Sequence, residues 1–146
     1  MEYVLMSDAH IAQIAQLEKQ CFSAPWSEKS LVSELKSALA LWIVAIDGDT
    51  VVGYVGSQSV LGEADMMNLA VLPDYRRQGI GKKLVLTLID ELQKKSIHSL
   101  TLEVRVSNVS ALALYNKLGF FEVGIRPNYY SYPKENAMIL RKEWQA

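Results

Sequence analysis

Residues 75–84 read YRRQGIGKKL, placing Gly79 and Gly81 between the basic pairs Arg76–Arg77 and Lys82–Lys83, directly before an apolar pattern of helical period. Lysines in a first helical turn face the positive end of the helix dipole, which disfavours them by a few tenths to about 1 kcal/mol. A negative ligand seated at that end reverses the sign. A helix start also offers unpaired backbone N–H groups, and glycines let a ligand approach them closely. Arg76, Arg77 and Lys82 add positive charge, so the stretch can cradle a pyrophosphate. Residue types alone leave a second reading open, a turn with ordinary glycines and a solvated basic face. The P-loop pattern G-x-x-x-x-G-K-[ST] is absent. The third glycine of a dinucleotide fingerprint is also missing, since its position holds Leu84. A phosphate-bearing ligand fits this loop, whereas an ATP or NAD site does not.

Two more residues have types suited to proton transfer. Glu103 interrupts SLTLEVRV (99–106) on the face opposite Leu102, Val104 and Val106. A carboxylate there can accept a proton, or it can pair with Arg105, two residues along on the same face. Tyr115 follows Asn108 by seven residues, two helical turns on and close to the same face. It can donate a proton, or it can be a half-buried core tyrosine. Cys21 reads as a small core residue, and His10 and His98 lie far apart in sequence, so no Cys–His nucleophile is expected. Two histidines and one cysteine make no zinc set, and no metal is expected. Trp26, Trp42 and Trp144 read as packing residues, and Tyr129, Tyr130 and Tyr132 as a cluster in a loop between the last two strands.

These residues need a scaffold, and the hydrophobic periods outline one. A short strand covers 2–5. Ser7 or Asp8 caps a helix carrying Ile11, Ile14, Ala15, Leu17 and Phe22. Ser27 is the N-cap of a second helix with Leu31 and Leu35 on one face. LWIVAI (41–46) and VVGYVGSQSV (51–60) form a hairpin around the turn DGDT. A third strand spans 63–72 and ends at Pro73. In the helix over 79–95, Ile80, Leu84, Leu88 and Leu92 recur every four residues. The strand 99–106 follows, then a capped helix over 108–120 that ends at Gly119, then the strands FFEVGI and NAMILRKEW. The order predicts an α/β chain with a mixed sheet of about seven strands and about four helices on its faces. The unit from 63 to 106 is expected to be a parallel crossover.

Composition narrows the partners. The 146 residues read as a single domain, and half are hydrophobic, enough for a core without staples. A net charge of −1 gives no general pull toward nucleic acid or an anionic membrane, so any anion site is local. One cysteine permits no internal disulfide, which fits a reducing compartment. No signal peptide is recognised at the N-terminus, and no apolar run reaches the ~20 residues of a membrane span. The expected location is the cytoplasm.

The run NLAVLPDYRRQGIGKKL resembles the acetyl-CoA motif R/Q-x-x-G-x-G/A of the GNAT acetyltransferases, matched by Arg76, Gly79 and Gly81. PWS (25–27), LEVRVSNVSALALYNKLGF and IRPNYY extend the likeness, in order, over nearly the whole chain. They resemble in particular the subfamily that acetylates the N-terminal alanine of a small-subunit ribosomal protein. The resemblance implies a GNAT fold, acetyl-CoA as co-substrate and a protein N-terminus as acceptor, with no direct binding of nucleic acid or membrane. It implies that backbone N–H groups of Leu69, Ala70 and Val71 meet the thioester carbonyl and pantetheine arm. Arg77, Gln78, Gly79, Ile80, Gly81 and Lys82 would hold the pyrophosphate, and Asn108 would contact the cofactor. Glu103 matches the family's proton acceptor and Tyr115 its proton donor; by the same analogy the tyrosine cluster lines the acceptor groove, local loop packing being the other reading. In one departure, the family commonly has E-D-A after the tyrosines, and this chain has Glu135, Asn136 and Ala137.

The implied chemistry is sound on its own terms. An amine must lose a proton, the thioester carbonyl must be polarised, and the leaving thiolate must gain a proton. A free α-amine has a pKa of roughly 8, against roughly 10.4 for lysine. About one α-amine in ten is therefore neutral at pH 7, and a carboxylate suffices as base. A GNAT enzyme with another acceptor, such as a lysine or a small amine, is the nearest rival. A non-catalytic acyl-CoA-binding module would keep the glycine loop but need not keep Glu103 and Tyr115 together.

Overall fold

The alternation of apolar strands and amphipathic helices resolves as β1 (Glu2–Leu5), α1 (Ile11–Cys21), α2 (Glu28–Lys36), β2 (Ala40–Asp47), β3 (Thr50–Val60), β4 (Glu63–Val71), α3 (Ile80–Lys94), β5 (Ser99–Arg105), α4 (Val109–Lys117), β6 (Phe121–Ser131) and β7 (Lys134–Glu143). A computed structural model of the chain describes residues 1–144. The strands form one mixed sheet in the order β1-β2-β3-β4-β5-β7-β6. Among the described residues only β4 and β5 pair in parallel. The expected architecture is therefore present, with helices on both faces.

The period of two along each strand divides the core between the faces. On one face, Leu84, Leu88 and Leu92 of α3 pack with Ile43, Val52 and Leu100. On the other, Ile14 and Leu17 of α1 and Leu31 of α2 pack with Trp42, Val44 and Tyr54. Ile43 and Val44 are sequence neighbours that serve opposite layers. Local signals set the helix ends. The Ser27 hydroxyl accepts from Ser30 N–H at 3.1 Å, as expected of an N-cap. Gly119, at φ 91°, closes α4 in the left-handed region.

Two irregularities shape the sheet centre. Between β3 and β4, Gly56 opposes Asn68 while Ser57 opposes Met66, so Met67 is an extra residue that bulges β4. Beside that bulge, β4 and β5 pair only over Glu63–Asp65 and Ser99–Thr101, and then part. The edge of β4 beyond Asp65 therefore has no strand beside it on the β5 side.

The end of the chain differs from the sequence reading. Tyr129 and Tyr130 are not in a loop. β6 runs on to Ser131, with Tyr130 opposite Glu135 and Ser131 opposite Lys134, and only Tyr132 lies in the turn. The strand kinks between Arg126 and Tyr130, where Pro127 offers no N–H and Asn128 takes φ 54°.

Candidate active site

A cleft of about 720 Å³ opens where β4 and β5 part. Met66–Leu69 of β4 form one wall and Leu102–Arg105 of β5 the other. Asn108, Ala111 and Tyr115 come from α4, Tyr129, Tyr130 and Tyr132 from the last hairpin, and Phe22–Ala24 and Trp26 from the segment joining α1 to α2. The structure thus brings Leu69, Glu103, Asn108 and Tyr115 into one cavity.

Glu103 does not pair with Arg105. Its Oε2 is shielded from solvent, lies 3.4 Å from Arg126 Nη1, and accepts no aligned hydrogen bond. Arg105 turns instead to the last hairpin, with Nη1 3.2 Å from Glu135 Oε1. The register explains the exchange. Arg105 and Arg126 both oppose Ala137, one from each side of β7. Over that small, fully buried residue, the Arg126 side chain crosses β7 to reach Glu103.

Tyr115 is 4% exposed, its ring edge-on to Phe120 at 5.3 Å. Burial pushes its phenol well above the ordinary value, with Tyr130 adding to the shift. The group is therefore protonated throughout the neutral range. Among the described residues its hydroxyl finds one hydrogen-bond partner, the thioether of Met66, 3.9 Å away on the β4 wall. Asn108 is the N-cap of α4: its Oδ1 accepts from Ala111 N–H at 3.2 Å and from Ser110 Oγ at 3.3 Å. Both lone pairs are thereby used within the chain, leaving the amide Nδ2 as the group it can offer the cleft.

The glycine segment lies at the start of α3. Gly79, at φ 79°, needs glycine for its conformation. Gly81 does not, and a Cβ built there meets nothing within 4 Å. Neither the backbone conformation nor packing among the described residues requires glycine at 81. Arg77 (φ 64°) and Gln78 are exposed beside it. Arg76 secures the strand end, Nε donating to Val71 O at 3.0 Å. Ile80 is 4% exposed with its side chain in the core, so only its backbone can face a ligand. Ala70 is also buried, at 6% exposure. Gly79, Lys82, Lys83 and Thr87 line a second, shallow groove of about 470 Å³.

Two site features escaped the sequence reading. Cys21 packs against the core layer of α1, as expected, and also reaches the cleft. It is half-buried at the cleft wall, Sγ 3.7 Å from Arg76 Nη2. Glu18 is fully buried and accepts from Trp26 N–H (2.8 Å), Asn68 Nδ2 (2.9 Å) and the Tyr54 hydroxyl. Burial pushes its carboxyl up, and the Trp26 and Asn68 bonds partly offset that. Glu18 ties the α1–α2 segment to β3 and β4. Its place one turn after Ile14, on the apolar stripe of α1, was the available signal.

Residues 11–120 match the family model for the acetyltransferase (GNAT) family. The chain is 42% identical, over 85% of its length and 84% of the relative's, to [ribosomal protein bS18]-alanine N-acetyltransferase from Escherichia coli (strain K12). The crystal structure of the ribosomal-protein-S18-alanine N-acetyltransferase from Escherichia coli superposes with a TM-score of 0.89 at 36% identity, covering 99% of this chain and 94% of that one. A chain from the NatC complex bound to Gag peptide and CoA superposes with a TM-score of 0.82 at 26% identity, covering 99% of this chain and all of that one.

Proposed function

The chain belongs to the acetyltransferase (GNAT) family, and on that premise we propose that it moves the acetyl group of acetyl-CoA to the N-terminal alanine of ribosomal protein bS18. It is an acyl-CoA-dependent acetyltransferase with a protein acceptor. The acetyl group, the alanine terminus and the residue roles are our reading. One observation carries them: Glu103 and Tyr115 line the single cleft created where β4 and β5 part.

In this reading acetyl-CoA lies along the unpaired edge of β4. Backbone N–H groups from Leu69 to Val71 polarise the thioester carbonyl and hold the pantetheine arm. Such fixed donors act where charge develops in the transition state. Arg77 to Lys82 hold the pyrophosphate at the start of α3, with Arg76 beside them. The space over Gly81 supports this placement. Asn108 contacts the co-substrate through its amide.

The α-amine enters between the tyrosines of the hairpin and the Phe22–Trp26 segment. Its nitrogen forms the new bond to the carbonyl carbon as Glu103 takes its proton, directly or through one water. The C–S bond then breaks, and the Tyr115 hydroxyl directs its proton to the departing sulfur. A phenol whose one hydrogen-bond partner among the described residues is a thioether suits a sulfur leaving group.

The test is thiol release from acetyl-CoA with three peptides: the bS18 terminus beginning at alanine, the same peptide Nα-blocked, and a blocked peptide bearing a lysine. Release with the free terminus alone is expected. Release with the lysine peptide moves the chain to another GNAT acceptor. Silence with all three, acetyl-CoA still binding, favours a binding module.

A further inference from the structure

The Arg105 side chain reaches across to the last hairpin. Nη1 donates to Pro133 O at 2.8 Å and Nη2 to Tyr132 O at 3.0 Å. Nη1 also meets Glu135 Oε1 at 3.2 Å, and the guanidinium lies 4.2 Å from the centre of the Tyr130 ring. The other oxygen of Glu135 accepts from Ser107 N–H at 2.8 Å, next to the N-cap of α4. Beyond Ala137, which opposes Arg105, one backbone bond remains, from Val106 N–H to Asn136 O at 3.2 Å, and past it the ladder pairs the tip from Tyr130 to Glu135 only with itself among the described residues. That tip carries Tyr130, Tyr132 and Pro133, all lining the cleft.

We propose that Arg105 is a positioning residue that clamps this hairpin tip to β5 and so sets the acceptor side of the cleft. The proposal rests on the reading of the cleft as an amine-acceptor site. One planar guanidinium supplies all four contacts: donors in a fixed fork for two carbonyls and a carboxylate, and a face for the ring. A lysine ammonium has the charge but not the fork or the face, so Arg105→Lys is not conservative here. Glu135 passes the clamp on to Ser107 and thus to the corner that presents Asn108.

The experiment pairs kinetics with amide hydrogen exchange on Arg105→Ala, Arg105→Lys and Glu135→Gln. Displacement of a substrate-positioning wall by about 1 Å can cost up to ~10²-fold. In Arg105→Ala the KM for the alanine peptide is expected to rise ~10–100-fold, with the KM for acetyl-CoA within about twofold of wild type. Exchange is expected to quicken across 128–136 and to stay unchanged in α3. Arg105→Lys should restore little of the peptide KM, and Glu135→Gln should give the same pattern more weakly. An unchanged peptide KM despite faster exchange in the hairpin overturns the proposal. Equal changes in both KM values, with faster exchange through α3, overturn it as well, since they mean general loosening. If Arg105→Ala does not fold, Glu135→Gln decides by the same criteria. If wild type acetylates no amine peptide, the acceptor reading fails, and the exchange data still decide the clamp.

Discussion

Asn136 Oδ1 accepts a hydrogen bond from the backbone N–H of Asn128 at 2.9 Å. Residue 136 stands where the family resemblance leads one to expect a carboxylate. Its side chain serves the kink of β6, where Asn128 takes φ 54° just before Tyr129 and Tyr130. A carboxylate would accept the same bond. The departure from the family pattern therefore changes a charge while keeping a structural contact.

Asn136→Asp is accordingly expected to leave kcat and the peptide KM within about twofold of wild type, since the acceptor atom is retained. Asn136→Ala removes it and should lower stability by about 1 kcal/mol, the usual size of one hydrogen bond. Thermal unfolding and initial rates on the two variants measure both effects. A large loss in Asn136→Asp would mean that the absence of charge at 136 matters to the acceptor.

Glu103→Gln and Tyr115→Phe should each lower kcat by ~10²–10⁴-fold, as removal of a general acid–base group commonly does. Because burial raises the Tyr115 phenol above its ordinary value of 10.0, its deprotonation should cause no fall in kcat below about pH 10. Single-turnover rates across pH check this. Near-wild-type turnover in either folded variant removes that residue from the mechanism.

Gly81→Ala separates stability from binding. The site is the second residue of α3 and has open space around it, so alanine should raise stability by up to about 1 kcal/mol. If a pyrophosphate lies against that backbone, the same methyl group should weaken acetyl-CoA binding by about tenfold, or ~1.4 kcal/mol. Calorimetry reports the melting temperature and the Kd on one sample. A variant that is more stable and binds equally well would place the ligand elsewhere.

Glu135 links the hairpin to acid. Hydrogen bonds from Ser107, with the Arg105 guanidinium adding to them, hold its carboxyl below the ordinary value of 4.5. A lowered folded value contributes stability that is present above pH 4.5 and is lost as pH falls through the folded value. Hydrogen exchange in residues 128–136, wild type against Glu135→Gln, should differ at neutral pH and converge below pH 4.5. A constant difference across that window would show that the ion pair does not hold the tip.

Periods of 3.6 and 2 located the elements, because Leu84, Leu88 and Leu92 need one helix face and Leu102 and Val104 one sheet face. Ser27 and Asn108 marked helix starts because their side chains accept backbone N–H groups nearby in sequence. Contacts distant in sequence carry no such local mark. The parting of β4 from β5 is a matter of register, which hydrophobic period alone does not specify. Arg105 was read beside Glu103, its nearest opposite charge in sequence, yet its partners lie 25–30 residues on in the hairpin. The tyrosines read as a loop because the apolar run of β6 ends before them, whereas Pro127 and Asn128 form a kink inside a strand that continues. Cys21 read as a core residue, and at the end of α1 it packs against the core while also lining the cleft.

The most direct measurement locates the transferred group. The alanine-starting bS18 peptide, with an internal lysine, is incubated with acetyl-CoA and enzyme and sequenced by fragment mass spectrometry. A single acetyl group on the α-nitrogen of the first alanine, formed ~10²–10⁴-fold more slowly with Glu103→Gln, is the predicted result. Acetylation of the lysine side chain, or an unmodified peptide beside an enzyme that binds acetyl-CoA, would contradict it.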